Sequence, residues 1–114
     1  MKKGKLWIEN IEFDILITEN IFDKMRGYMF REVNDKEGIL FIFKNEKPKF
    51  WMLNVKEALD IAFIDKNKII FEISSLELNS EITPSKPIYY AFETKKGNLK
   101  KCWLGKKIRW IQMK

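Results

Sequence analysis

The chain has no histidine and a single cysteine, Cys102, among its 114 residues. Those shortages exclude an internal disulfide, the usual zinc constellations and a nucleophile activated by histidine. Arginine is also scarce. It occurs only as Arg26, Arg31 and Arg109, which makes each one a candidate partner for a buried carboxylate. No apolar run reaches the roughly 20 residues that span a bilayer. The opening Met1-Lys2-Lys3-Gly4-Lys5 passes into Leu6-Trp7-Ile8-Glu9, which breaks off before a signal-peptide core could form, so a cytoplasmic address is expected. With no metal cluster, phosphate loop or nucleophile in the sequence, no cofactor is expected.

What is present is apolar and aromatic. Hydrophobic residues make up 46% of the chain and aromatics 14%, enough for one globular core, so residues 1–114 are read as a single domain. The formal net charge of +6 is carried almost wholly by lysine. Lysines spread through every segment read as a solvated surface, and only their convergence on one face would indicate nucleic acid.

Along the chain, Lys5 to Asn10 and Ile11 to Ile17 read as strands, the second alternating Ile11, Phe13, Ile15 and Ile17 against Glu12, Asp14 and Leu16. Thr18 is placed to cap a short helix from Glu19 to Arg26, with Ile17 and Phe22 as its staple and Gly27 as its left-handed C-terminal cap. Ile21, Phe22 and Met25 fall at helical spacing for a helix laid across a sheet. Gly38 to Phe43 is apolar on both faces, as in an interior strand. Lys49 to Leu53 and Leu59 to Asp65 follow as strands. Lys66-Asn67 is expected to close a hairpin with Asn67 at positive φ, and Lys68 to Ser74 to return antiparallel. Ser75 to Lys86, around Pro84, reads as a long surface loop and Ile88 to Glu93 as a strand. Leu99 to Leu104 is ambiguous between strand and helical turn, and Ile108 to Gln112 is a last strand. These elements predict a mainly β protein, an antiparallel barrel or sandwich of about eight strands with one short helix packed on it. The alternative is an α+β roll.

Candidate site residues are polar groups set in otherwise apolar runs. Asp60 alternates with Ala62 and Ile64, so its carboxylate needs a partner, for which Arg26 and Arg31 are candidates alongside lysine, backbone N–H groups and water. Trp51 alternates away from Phe50 and Met52, which places its indole on the other surface, as a stacking platform or as cover for the helix. Asn54, at a strand end, can present its amide or form a turn. Glu93 lies among small and aromatic neighbours and is the second carboxylate of interest. The expected function is binding of a small polar ligand or a protein partner in a groove near Trp51, Asn54 and Asp60. A glycosidase-like hydrolase using Asp60 and Glu93 is the alternative, and a basic nucleic-acid-binding module the third. A binding role is expected over an enzymatic one.

The order and spacing of Arg26-Gly27-Tyr28-Met29-Phe30-Arg31, Gly38-Ile39-Leu40-Phe41, Phe50-Trp51-Met52-Leu53-Asn54, Leu59-Asp60-Ile61-Ala62-Phe63-Ile64-Asp65 and Tyr90-Ala91-Phe92-Glu93, with Gly97 and Gly105, carry a resemblance. Over about residues 11–110 the chain resembles the domain of unknown function 192 family. The resemblance implies a small, mainly β fold with no established activity. Against the family pattern, Tyr28 stands for Leu, Ile39 for Met, Val55 for Thr, Ala58 for Pro, and Asn67 or Lys68 for the hairpin Gly. The change at Val55 removes a hydroxyl beside Asn54. The resemblance also implies secretion or anchor segments ahead of the domain in many relatives, and the lysine-rich start here does not read as one.

Overall fold

The computed structural model describes residues 1–29 and 31–114, with the side chains of Ile21, Phe22 and Met25 outside the described set. The expectations for the apolar face of the helix and for Phe30 therefore lie outside the described residues.

The chain opens with an antiparallel pair, β1 (Lys2–Ile8) and β2 (Ile11–Thr18). In β2, Phe13, Ile15 and Ile17 are buried while Glu12 and Asp14 face solvent, as period-two alternation requires. The helix α1 (Ile21–Arg26) is capped by Asn20, not Thr18. The Asn20 side-chain oxygen accepts from the Asp23 N–H at 2.8 Å. Thr18 instead ends β2 opposite Phe41, where a β-branched side chain fits, and its buried hydroxyl has no partner among the described residues. Gly27 closes α1 at φ 44°, ψ −124°. That is positive φ as expected, but in a region reserved for glycine rather than the left-handed helical one.

Next come β3 (Glu37–Glu46), β4 (Phe50–Trp51), β5 (Leu59–Ile64), β6 (Ile70–Leu76), β7 (Glu81–Ile82), β8 (Ile88–Lys95), a 3-10 turn at Lys101–Trp103, and β9 (Ile108–Gln112). A seven-stranded sheet runs β6-β5-β8-β3-β2-β1-β9, and β4 pairs with β7 in a separate two-stranded ribbon. The β2–β3 pair is parallel, because the crossover through α1 returns the chain in the same direction, and the remaining pairs are antiparallel. The sheet curls until its edges touch at one end, through the Ile69–Lys107 bridge and the Ile108 N–H donating to the Lys68 carbonyl at 2.8 Å. It does not close into a barrel, and the architecture is that of a sandwich or roll.

The hairpin after β5 turns on Asp65, whose carboxylate accepts from the N–H groups of Asn67 and Ile69 at 2.8 and 3.1 Å. Lys68, not Asn67, takes the positive φ. The stretch read as a loop around Pro84 contains β7, and the ambiguous segment is the 3-10 turn that buries Trp103.

Because the sheet is covered on both sides, it carries two apolar cores. Inside the curl, Phe13, Leu40, Ala62, Phe92, Leu99 and Trp103 pack together, with Phe13 edge-on to Phe92 at 5.1 Å between ring centroids. On the outer face Ile39, Phe41, Phe43, Ile61 and Phe63 meet Tyr28 from the turn after α1 and Phe50 from the β4–β7 ribbon. Phe50 touches Phe41, Phe43 and Phe63, so the ribbon is fastened to the sheet by aromatic edges.

Candidate functional site

Strand β8 lies between β3 and β5, and its register sets Glu93 opposite Ile39 on one side and Ile61 on the other. Residues opposite each other in an antiparallel pair share a face, so Glu93 stands in a lane of isoleucines on the outer side of the sheet. Glu93 is buried, with 5% of the residue exposed. Burial pushes its pKa up to about 8, so at neutral pH Glu93 holds its proton and offers a hydrogen bond where an ionised carboxylate could only accept one.

The turn after α1 lies directly over this group. A methyl placed on Gly27 would stand 3.3 Å from Phe41 Cζ and 3.6 Å from Glu93 Oε1, so the bare backbone leaves room above the carboxyl. The Arg31 Nε donates to the Gly27 carbonyl at 3.1 Å and pins the turn. Between turn, sheet and ribbon is a cavity of about 540 Å3. Phe41, Tyr28, Met29 and Val55 form its walls, and Glu93 is the one acidic residue among its described lining. Trp51, 62% exposed, and Leu53, 54% exposed, stand at its mouth with Lys24, Arg26 and Lys49. Lys24 Nζ sits 4.3 Å from the centroid of the Phe43 ring, and Lys49 reaches Glu81 at 3.6 Å. Burial, and after it the charges of Glu93 and Glu37, raise the Tyr28 phenol well above its ordinary range, so it stays a donor.

The cavity therefore brings together Arg26, Trp51 and Glu93 of the expected site residues. Arg31 lines a second cavity, of about 630 Å3, on the other side of the same turn with Lys3, Lys5, Asp14 and Glu37; Arg26 and Tyr28 border both. Asn54 is exposed at φ 55° in the connection after β4 and forms a turn outside the described lining of both cavities.

Asp60 does not pair with Arg26 or Arg31. It projects to the inner face, away from the α1 turn, where its Oδ1 accepts from Ser75 Oγ at 3.1 Å and its Oδ2 from the N–H groups of Gly97 and Leu99 at 2.8 and 3.2 Å. These bonds tie β5 to β6 and to the turn after β8. Nor do Asp60 and Glu93 form a carboxylate pair. Asp60 is opposite Thr94, one residue beyond Glu93, so a single step of strand parity sends the two carboxyls to opposite faces of the sheet. The hydrolase expectation fails on that parity.

Sequence reading missed the rest of the lining, namely Lys24, Gly27, Tyr28, Met29, Phe41, Lys49, Leu53 and Val55. Gly27 carried a signal as the cap of a short helix, but nothing local showed that its turn would face Glu93 across more than sixty residues of chain.

Two solved structures share the fold. One, described provisionally as a transcription regulator from Sinorhizobium meliloti 1021, superposes with a TM-score of 0.79 at 20% identity, over 97% of this chain and 92% of that one. The other, a protein of unknown function from Novosphingobium aromaticivorans DSM 12444, gives 0.78 at 22% identity, over 95% and 84%. No curated protein matches the chain. The model of the DUF192 family, described as Uncharacterized ACR, matches residues 5–110. On that match the chain belongs to the domain of unknown function 192 family.

Proposed function

We propose that the protein is a binding module that takes a small molecule into the cavity between the α1 turn, the β4–β7 ribbon and Glu93. The observation that carries this reading is a buried carboxyl, its acid form favoured by desolvation, in the lining of a cavity walled by apolar and aromatic side chains. A polar ligand atom would bond to Glu93, and the aromatic wall would hold the ligand's apolar body. Trp51 at the mouth gives a planar ligand a surface to stack on.

A protein partner inserting one apolar side chain would use the same mouth, where Trp51 and Leu53 are exposed. The depth of Glu93 favours the small molecule. The nucleic-acid reading is weakened where Lys5, Lys49, Lys56, Lys95, Lys96 and Lys106 are each engaged by a carboxylate. The structural relative described as a regulator resembles this chain at a level that speaks for fold alone. We also infer a cytoplasmic address, supported by the lone, exposed, unpaired Cys102. Among the described residues, no helix is long and apolar enough to cross a membrane.

The test is an amide NMR titration with 2-naphthalenemethanol, a neutral probe with an aromatic body and one hydroxyl. Shifts concentrated at Gly27, Met29, Phe41, Leu53 and Glu93, and absent at Gly97 and Leu99, are expected. No shifts, or shifts spread evenly over the surface, would overturn the reading.

A further inference from the structure

The cavity has an uneven charge pattern. Around its mouth stand Lys24, Arg26 and Lys49, while the one acidic residue of its described lining, Glu93, is at the base. The walls between them are apolar. Lys24 and Arg26 belong to the last turn of α1, and Lys49 to the approach to β4, so separate parts of the chain bring positive charge to one opening. We propose that the site selects small organic anions with an apolar or aromatic body, above all monocarboxylates, through the cationic mouth and a hydrogen bond from the Glu93 carboxylic acid. This rests on the cavity reading and adds the chemical class of the ligand.

An organic cation meets Lys24, Arg26 and the Glu81-paired Lys49 on entry and an uncharged acid at the base. An organic anion is drawn in by the mouth and loses little at the base while Glu93 is protonated. The protonated acid donates one hydrogen bond to an acceptor oxygen of the ligand, as a charge-assisted bond if that oxygen belongs to the ligand's carboxylate. Once Glu93 ionises, two negative groups share a low-dielectric pocket and the anion is expelled. Binding of an anion should therefore be strongest below pH 8 and fall as pH passes through about 8. Sharing the cavity with Glu93 are Lys24 and Arg26 from α1, Tyr28 from the turn and Lys49 from the approach to β4; β3 and β5 present Phe41, Ile39 and Ile61 beside it, which do not titrate.

The experiment is isothermal titration calorimetry with three probes of one shape, 2-naphthoate, 2-naphthylmethylammonium and 2-naphthalenemethanol, at pH 6.5 and pH 9. At pH 6.5 naphthoate should bind about tenfold more tightly than the ammonium probe, a ratio suited to partly exposed ion contacts. That preference should shrink to about threefold or less in the double variant Lys24→Gln, Lys49→Gln. At pH 9 naphthoate binding should weaken about tenfold in the native protein and hardly at all in Glu93→Gln, whose amide still donates but does not ionise. Equal binding of the two charged probes, or tighter binding of the ammonium probe, would overturn the charge selection and leave the cavity reading standing. Silence from all three probes would overturn the cavity reading itself, and this proposal with it.

Discussion

Asp60 and Glu93 are carboxylates buried to the same degree, each 5% exposed, on neighbouring strands and one register step apart. Asp60 faces the inner core and accepts from Ser75, Gly97 and Leu99, so the fold itself uses its oxygens. Glu93 faces the outer side, between Ile39 and Ile61, with a cavity before it. Burial alone does not say what a carboxylate does; the face of the sheet it stands on decides whether the fold's own turn or a cavity meets it.

The largest effect that sharpens this contrast is electrostatic. Glu93 is held near pKa 8 in the fold against an ordinary value of 4.5, so its protonated form contributes stability fully below about pH 4.5, and that contribution is lost as pH rises through about 8. Relative to the native protein, Glu93→Gln should therefore gain about 4 kcal/mol of stability between pH 4.5 and pH 8.5. Urea denaturation at both pH values checks this, and a difference that does not change with pH would place Glu93 in a solvated or paired environment.

Asp60→Ala should act in the opposite sense, losing about 3 kcal/mol because it removes three hydrogen bonds and strands a buried N–H at Leu99. Among the molecules that stay folded, affinity for 2-naphthalenemethanol should remain within about twofold of native, since Asp60 is on the far face. A large loss of affinity would break the division of labour between the two acids.

Gly27→Ala probes the turn over Glu93. Its φ of 44° and the 3.3 Å approach to Phe41 predict a loss of about 1 to 2 kcal/mol, measured by the same denaturation, together with weaker probe binding. Trp51→Ala should cost less than about 0.5 kcal/mol of stability, because the indole is mostly exposed, yet should weaken probe binding about fivefold in calorimetry. If stability falls by more and binding is unchanged, Trp51 is cover for the outer core and not part of a site.

Much of the fold was legible because strand alternation is local. Phe13, Ile15 and Ile17 against Glu12 and Asp14, and Phe50 and Met52 against Trp51, fell on the expected sides. Caps and turns were less legible, since Thr18 and Asn20 compete for one cap and the tertiary pairing of β2 with β3 decided it. In the candidate site, Asp60 and Glu93 were visible as acids in apolar runs, and the parity of each within its own strand could be read. What could not be read was the register between β5 and β8, which sends them to opposite faces. The arginine partner expected for Asp60 failed for the same reason. Backbone N–H groups from a turn some forty residues away satisfied it instead.

The most direct measurement is the side-chain carboxyl carbon shift of Glu93 followed by NMR against pH, with and without 2-naphthoate. A midpoint near 8 in the free protein, moving higher when naphthoate is bound, is the result expected of a buried acid that donates to an anionic ligand. A midpoint near 4.5, unmoved by naphthoate, would contradict it and leave the cavity without its central group.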